Sequence, residues 1–480
     1  MATILFLLAA TLGTSSAQRV TYSAPLGDNI RTTTFDILGF CGGNLLVYKN
    51  AYSDYRISVY DSRLKIRDEV ALKFMPSGVS QADFVNLGDR VLMYYQYTHR
   101  RDLYCDYVVL GPHGEVLEAP RTIDRTLHPD RVVGQIPYHV LYSGDRSRIM
   151  ILEVLRVEDS LTYRIRTFLY DDSMQLVAAG SLSVPYLEET DTPRNFCLSD
   201  QGGLYFTMGH AGEPGGNYYS SLTVMYKPPR TNEIRERTVS VTDAMVNTGL
   251  VLKASDRSGS LWLAALAGEG RARDVGAIVL QRYTLEGLRP LDSRLITLTD
   301  SLKEVMRSGA GALRQTFDDY RLTGLVTDEK GHAMLVGEQR YLDPDNVRHY
   351  DHIVLFEISP DYRLSGAWQI SKQQGPEMEP PYVSFLMVNT GHALHFLINK
   401  YHRVFRFLNN FRYILTDYRF GPDHTLEEMP LFRGLDNKIR WATRYGRQVS
   451  REKVVIPCVS GQGLIFAMID YGAATGTGGD

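Results

Sequence analysis

The sequence predicts an all-β chain: a single β-propeller of four-stranded antiparallel blades, eight blades favoured over seven, closed by N- and C-terminal strands. Three observations predict it. A hairpin pattern recurs eight times, a second set of hairpins lies between the copies, and the composition favours strands. Self-similarity at a regular spacing marks a repeat architecture whose units share one continuous core.

Each copy of the first hairpin is an apolar strand, a turn with Gly or Asp-Gly chemistry, and a second apolar strand. The copies are Leu38–Tyr48, Ala82–Tyr95, His139–Leu152, Phe196–Phe206, Leu250–Leu263, Gly324–Val336, Val383–Leu397 and Ile456–Phe466. Between them lie Tyr55–Val70, Leu103–Leu117, Tyr163–Val177, Leu222–Ile234, Ala277–Leu291, Ile353–Leu364 and Tyr413–Leu426. Tyr163, Ile165 and Thr167 alternate with Arg164 and Arg166, the period-two signature of a half-buried strand. Two such hairpins make a four-stranded blade. Gly42 and Gly461 are 419 positions apart over seven steps, about 60 residues per unit. Known propeller repeats run ~40 to 50 residues, so these blades carry long loops. Eight first hairpins against seven second ones leave the last blade short of outer strands, and Arg19–Ala24 is the expected donor of one.

Composition agrees. Aromatics are 11% of the chain, with 30 Tyr against 3 Trp, and flat amphipathic rings suit a pleated surface. A formal net charge of -3 gives no electrostatic reason to expect nucleic acid or anionic membrane. Residues 1–17 read as a signal peptide. Ile4–Leu12 is too short to span a bilayer, which takes ~20 residues, and Ser15-Ser16-Ala17 fits a small-residue cleavage site before Gln18. No Lys or Arg precedes the apolar run. No Cys follows it, so the mature protein is expected to be exported, periplasmic or secreted, and not lipid-anchored. No later segment is apolar enough to span a membrane.

Residues 18–471 form the propeller domain, and 472–480 a flexible tail. A short helical insertion is expected near 301–320, where Ser301 and Glu304 have capping-box spacing and Leu302, Val305 and Met306 make an apolar face. Val404–Phe411 and Arg433–Arg451 are further excursions rich in Arg and aromatics. Cys41, Cys197 and Cys458 are read as one repeat position, late in the first strand, and as buried apolar residues. If the ring closes, Cys41 and Cys458 come near enough to raise the question of a disulfide.

Turns within the strand pairs lie on one face of a propeller. The connections from second to third strand, and from blade to blade, lie on the other, and here they are long. Binding surfaces collect on long loops held by a rigid frame, so the candidate ligand surface is this face around the central channel. Its residues are Tyr97, Arg100, Arg101, His210, Tyr218, Tyr219, Glu338, Arg340, Tyr341, Asp343, Asp345, Arg348, Tyr401 and Arg403. Tyr and Arg suit stacking and hydrogen bonding to a sugar, peptide or protein. Asp343, Asp345 and Asn346 begin like a calcium loop, but the Gly and distal Glu of an EF-hand are missing in register. No metal site, phosphate loop or serine elbow is present in sequence, and no cofactor is expected.

Asp256, Gly259, Leu261 and Trp262 resemble the D-x-x-G-x-L-W turn of regulator-type propeller repeats. Asp328 with Gly331, and Asp200 with Gly203, are weaker copies. The resemblance implies a secreted bacterial propeller and a structural turn, and it transfers no catalytic residue. The turn is also close to the Asp-box of sialidase propellers, but Ser258 stands where that box has Gly. Catalytic residues are therefore unknown. The expectation is an exported, non-catalytic, monomeric binding or scaffold propeller whose partner is a glycan or protein of the cell envelope or extracellular space. The alternative is a polysaccharide-active hydrolase or lyase with Glu213, Glu338, Asp343 or Asp345 at the channel mouth.

Overall fold

In the computed structural model the described residues are 19–472, apart from 128–136, 158, 189–190, 212–217, 240–243, 270–274, 308–318, 329, 377, 406–407, 432–438 and 462. The chain is all-β and built from sets of four antiparallel strands. Seven sets follow in order, at 33–71, 79–126, 138–185, 192–238, 251–297, 320–370 and 385–430. Five are separate four-stranded sheets. The fourth and fifth are joined by the extra strand Ala244–Asn247, which pairs with both.

The terminal sheet is assembled from both ends of the chain. Arg19–Tyr22 pairs antiparallel with Gly463–Asp470, which pairs with Lys453–Ser460. The far edge carries two short pieces, Arg440–Trp441 and Arg447–Gln448, separated by a 3-10 turn at Thr443–Tyr445. Arg19–Tyr22 is therefore the outer strand that the N-terminus was expected to supply. The hairpin Ile456–Phe466, however, holds the second and third strands of its set, not the first and second. The true first strand is the broken piece inside the Arg433–Arg451 excursion. Cys458 consequently does not occupy the position of Cys41. All four cysteines are free thiols, so no ring-closing disulfide joins Cys41 to Cys458.

Successive sheets pack face to face, because a strand alternates its side chains between two neighbours. Ile149 and Ile151 pack with Tyr94 of the second sheet, while Met150 and Leu152 pack with Phe206 of the fourth. The pattern continues through Leu46 with Met93, Leu222 with Leu263, Trp262 with Phe356, Val336 with Phe396, and Leu397 with Ile456. An eighth core joins Val47 and Tyr60 of the first sheet to Val455 and Phe466 of the last. Second and third strands, buried on both faces, thus read as nearly continuous apolar runs. First strands touch from sheet to sheet, and outer strands such as Val116–Thr126 are mostly exposed.

A helix, Asp300–Arg307, stands at the start of the expected insertion, and residues 308–318 lie outside the described residues. Its cap is Thr299 rather than Ser301: Thr299 Oγ1 accepts the Leu302 N–H at 3.4 Å, and the Thr299 carbonyl accepts that of Lys303. Val404–Phe411 is not an excursion from the pattern, since Leu394–Phe405 and Leu408–Phe420 are paired strands. The signal segment 1–17 and the tail from 473 onward lie outside the described residues. No helix among the described residues is long and apolar enough to cross a membrane.

Candidate functional site

The second-to-third-strand turns and the sheet-to-sheet connections share one end of the assembly. The expected ligand residues divide there into surface, scaffold and core.

Arg100 and Arg101 are the two tip residues of a tight hairpin turn, with φ of 50° and 73°. Both are exposed and form no ion pair among the described residues. Tyr97, just below, is half-buried. Its ring stacks on Tyr104 at 5.2 Å and 8°, and its hydroxyl donates to Asp106 Oδ2 at 3.1 Å. Burial and the Asp106 charge push that hydroxyl up to about 12. Arg125 lies 5.4 Å over the Tyr104 ring and is ion-paired with Asp102, so the guanidinium at the rim of the platform is already neutralised.

His210 Nδ1 is 2.9 Å from Asp191 Oδ1, and its Nε2 is 3.7 Å from Glu188. Asp191 is buried, and its other oxygen accepts the Leu187 and Glu188 N–H groups, which holds those two residues beside the His210 pair. Tyr218 and Tyr219 are core residues rather than surface ones, each 5% exposed. Their strand belongs to the fourth sheet, turns Tyr219 into the core shared with the fifth, and binds the extra strand Ala244–Asn247.

Glu338 is fully buried at the upper end of its strand. Its Oε1 forms an ion pair with Lys372 Nζ at 2.8 Å, and its Oε2 accepts from Arg340 Nε at 2.6 Å and Ser384 Oγ at 2.9 Å. Burial acts to raise it, but Lys372 and then Arg340 outweigh burial and hold it below the ordinary glutamate value. Burial also lowers Lys372, whose ammonium donates to the Tyr350 carbonyl and to Gln374. This cluster ties Lys372, Gln374 and Ser384 to the end of the Glu338 strand. Similar polar groups recur at the ends of other second strands: Gln96 bonds the Tyr138 backbone, and Asn399 bonds the Tyr382 and Trp441 carbonyls. Glu338 is a scaffold residue.

Arg340 points outward from that anchor. Its guanidinium lies 5.7 Å from the Tyr350 ring, and Arg444 lies 5.7 Å from the same ring while donating to the Tyr350 hydroxyl at 3.3 Å. Arg444 is exposed and has no carboxylate partner among the described residues. Nearby, Arg440 lies 4.9 Å over Tyr382, and Glu379 bridges Arg440 to Arg31. The fold thus joins Arg340 to the Arg433–Arg451 segment. Tyr350, Arg440 and Arg444 were absent from the sequence-derived set. The richness of that segment in Arg and aromatics was the signal for the two arginines; nothing local marks Tyr350.

Asp343 closes its own loop, accepting the Asp345 and Val347 N–H groups, and pairs with His349 Nε2 at 3.0 Å. The His349 hydrogen bond holds its carboxyl below the usual range. Tyr341 stacks on His349 at 4.7 Å and donates to Asp351. Asp345 and Arg348 are exposed beside it. Tyr401 and Arg403 pair through their backbones with Tyr413 and Phe411. Glu213 lies outside the described residues. No cluster of three His, Cys, Asp or Glu side chains among the described residues could hold a metal ion.

Five exposed large apolar residues also sit in or beside the loops on this end: Tyr52, Leu127, Leu161, Leu187 and Leu342, with Leu187 82% exposed. Below them, first strands present Asp36, paired with Arg447 at 3.1 Å, and Asp83 beside it. Burial raises both carboxyls.

No protein-family model matches the chain, and no curated protein matches it in sequence. Among solved structures it is similar to the polysaccharide lyase Uly1, with 11% identity, TM-score 0.41, and 83% of this chain and 91% of that chain covered. It is similar to prolyl oligopeptidase B from Galerina marginata, with 9% identity, TM-score 0.42 and coverage of 92% and 55%. A third is the phage phi92 endosialidase, with 9% identity, TM-score 0.34 and coverage of 88% and 75%. The chain spans about half the length of the prolyl peptidase chains it matches. At these TM-scores the likeness transfers neither activity nor site.

Proposed function

We propose that this chain is an exported binding propeller, eight-bladed and closed by its two termini, that docks a protein partner on the long-loop face. The eight consecutive inter-sheet cores, the last linking Tyr60 to Phe466, support the closed ring. The observation that carries the function is the pairing of apolar loop tips with cations that lack acidic partners. Leu161 and Leu187 stand exposed on neighbouring segments, tied by the hydrogen bond from the Tyr186 N–H to the Leu161 carbonyl. Arg100, Arg101 and Arg444 share that end. Exposed apolar groups rimmed by charge are the composition of a docking surface. The buried acids Glu338 and Glu153 are each neutralised by cations, which suits a scaffold role. The partner surface would be apolar with an acidic rim.

The test is photo-crosslinking in the envelope fraction, from positions 161, 187 and 444 against position 142 on the other face. One discrete adduct from the first three, lost in Leu187→Asp and Arg444→Glu, supports docking. Equal labelling from both faces, or none, rejects it.

A second reading rests on the Asp191–His210 pair, in which a buried carboxylate orients a half-exposed imidazole, as a general base requires. It makes the chain a polysaccharide lyase or hydrolase. Turnover of an oligosaccharide, abolished by His210→Ala, would establish it in place of the first.

A further inference from the structure

We propose that the face opposite the long loops carries a separate pocket for a small carboxylate-bearing ring compound, built by the turns of the third, fourth and fifth sheets. Turns from third to fourth strand on that face have four or five residues in six of the sets, but seven, 228–234, in the fourth. The longer turn arches over a cavity of about 530 Å³. That volume lies within the ~300–1,000 Å³ of ordinary small-molecule sites.

Its lining is chemically one-sided. Arg148, Arg230 and Arg235 border it, and Glu286 is the single carboxylate. None of the three arginines forms an ion pair among the described residues. Arg148 has only the Ser147 carbonyl, and Arg235 acts on the Tyr226 hydroxyl, opposing the rise that burial gives it. Three guanidinium groups against one acid leave a net positive pocket, and a guanidinium fork matches a carboxylate.

The floor is aromatic. Tyr205 and Tyr226 stack at 4.9 Å and 13°, and the Tyr205 hydroxyl is spent on the Leu285 carbonyl at 2.7 Å. The pair is buried, Tyr205 at 1% and Tyr226 at 6% exposed, and forms a firm base, while the edge of Tyr226 with Pro228 and Pro229 gives the apolar wall for a ring. Gly287 keeps the rim open. Its φ is +82°, and a Cβ there would stand 3.0 Å from Arg235 Nη1. The ligand's carboxylate would lie among the arginines and its ring against Tyr226.

The test uses calorimetric titration of the full chain with D-glucuronate and benzoate, and with the neutral counterparts D-glucose and benzamide. Saturable binding of at least one anion is expected, about tenfold or more tighter than its neutral partner. Arg235→Ala and Arg148→Ala should each weaken it by about tenfold, and Arg121→Ala, which removes an exposed cation from the outer strand of the second sheet, should leave it unchanged. Circular dichroism checks that the two arginine variants fold. Absence of saturation by both anions, or binding that survives the double arginine variant, overturns the proposal.

Discussion

Asp256 Oδ2 accepts the backbone N–H of Asp200 at 3.0 Å, and Asp200 Oδ1 in turn accepts that of Asp145 at 3.1 Å. Three first-hairpin turns, from three successive sheets, are thereby linked hand to hand. An Asp at the head of a turn can accept that turn's own amides. Asp328 does so, accepting the Lys330 and His332 N–H groups. Asp256 instead bonds the neighbouring sheet, while Gly259, at φ 59°, supplies the left-handed turn and Trp262 packs between the fifth and sixth sheets.

Asp256→Ala and Asp256→Asn should therefore part company. Loss of the acceptor strands the Asp200 amide, and Asp256→Ala is expected to cost about 1–2 kcal/mol. Burial, then the charges of Asp200 and Asp145, leave Asp256 with a raised pKa. A raised carboxyl binds more protons folded than unfolded, so its stability contribution falls as pH climbs above 3.8. Asp256→Asn keeps an acceptor and removes the charge, and should equal or exceed the native chain at pH 7. Urea midpoints at pH 4 and pH 7 decide it.

Glu338 has the opposite sign. Its depressed carboxyl contributes fully above the ordinary value of 4.5 and loses that contribution as pH falls through the folded value. Glu338→Gln leaves Lys372 buried without its counter-charge, and about 3–5 kcal/mol should be lost at pH 7. The gap to the native chain should narrow on acidification. A pH-independent gap in thermal melts would show that Glu338 acts through packing alone.

Arg444 and Arg340 separate docking from scaffolding. Arg444→Ala removes an exposed cation and should change stability by less than about 0.5 kcal/mol. Arg340→Ala also strips Glu338 of one partner, at about 1–3 kcal/mol. Both should weaken partner capture, and only Arg340→Ala should lower the melting temperature.

Deleting residues 19–22 removes the outer strand that covers Gly463–Asp470, including the partly buried Val20 and Tyr22. About 2–3 kcal/mol should be lost, and the bare edge should promote self-association. Light scattering beside urea unfolding measures both.

The strands were legible because each carries its own evidence. Met150 and Ile151 face different sheets, yet both must be apolar, and that run is visible without knowing the partners. Even the N-terminal donor strand could be placed by counting. The terminal sheet misled for a local reason: its first strand is broken at Thr443–Tyr445 into two-residue pieces, too short to show a period.

The sequence by itself determined the repeated strands and their turns, since these follow from neighbours a few residues apart, but it left the strand pieces inside Val404–Phe411 and Arg433–Arg451 as loops. Only the tertiary structure decided which loop residues are surface and which are anchor. Glu338 became interior because Lys372 reaches it from another segment. Arg340 became part of a site because Tyr350 and, 94 positions beyond it, Arg444 converge on it. Burial and charge pairing are properties of neighbours in space, and a repeat chain brings together residues that its local spacing never sets side by side.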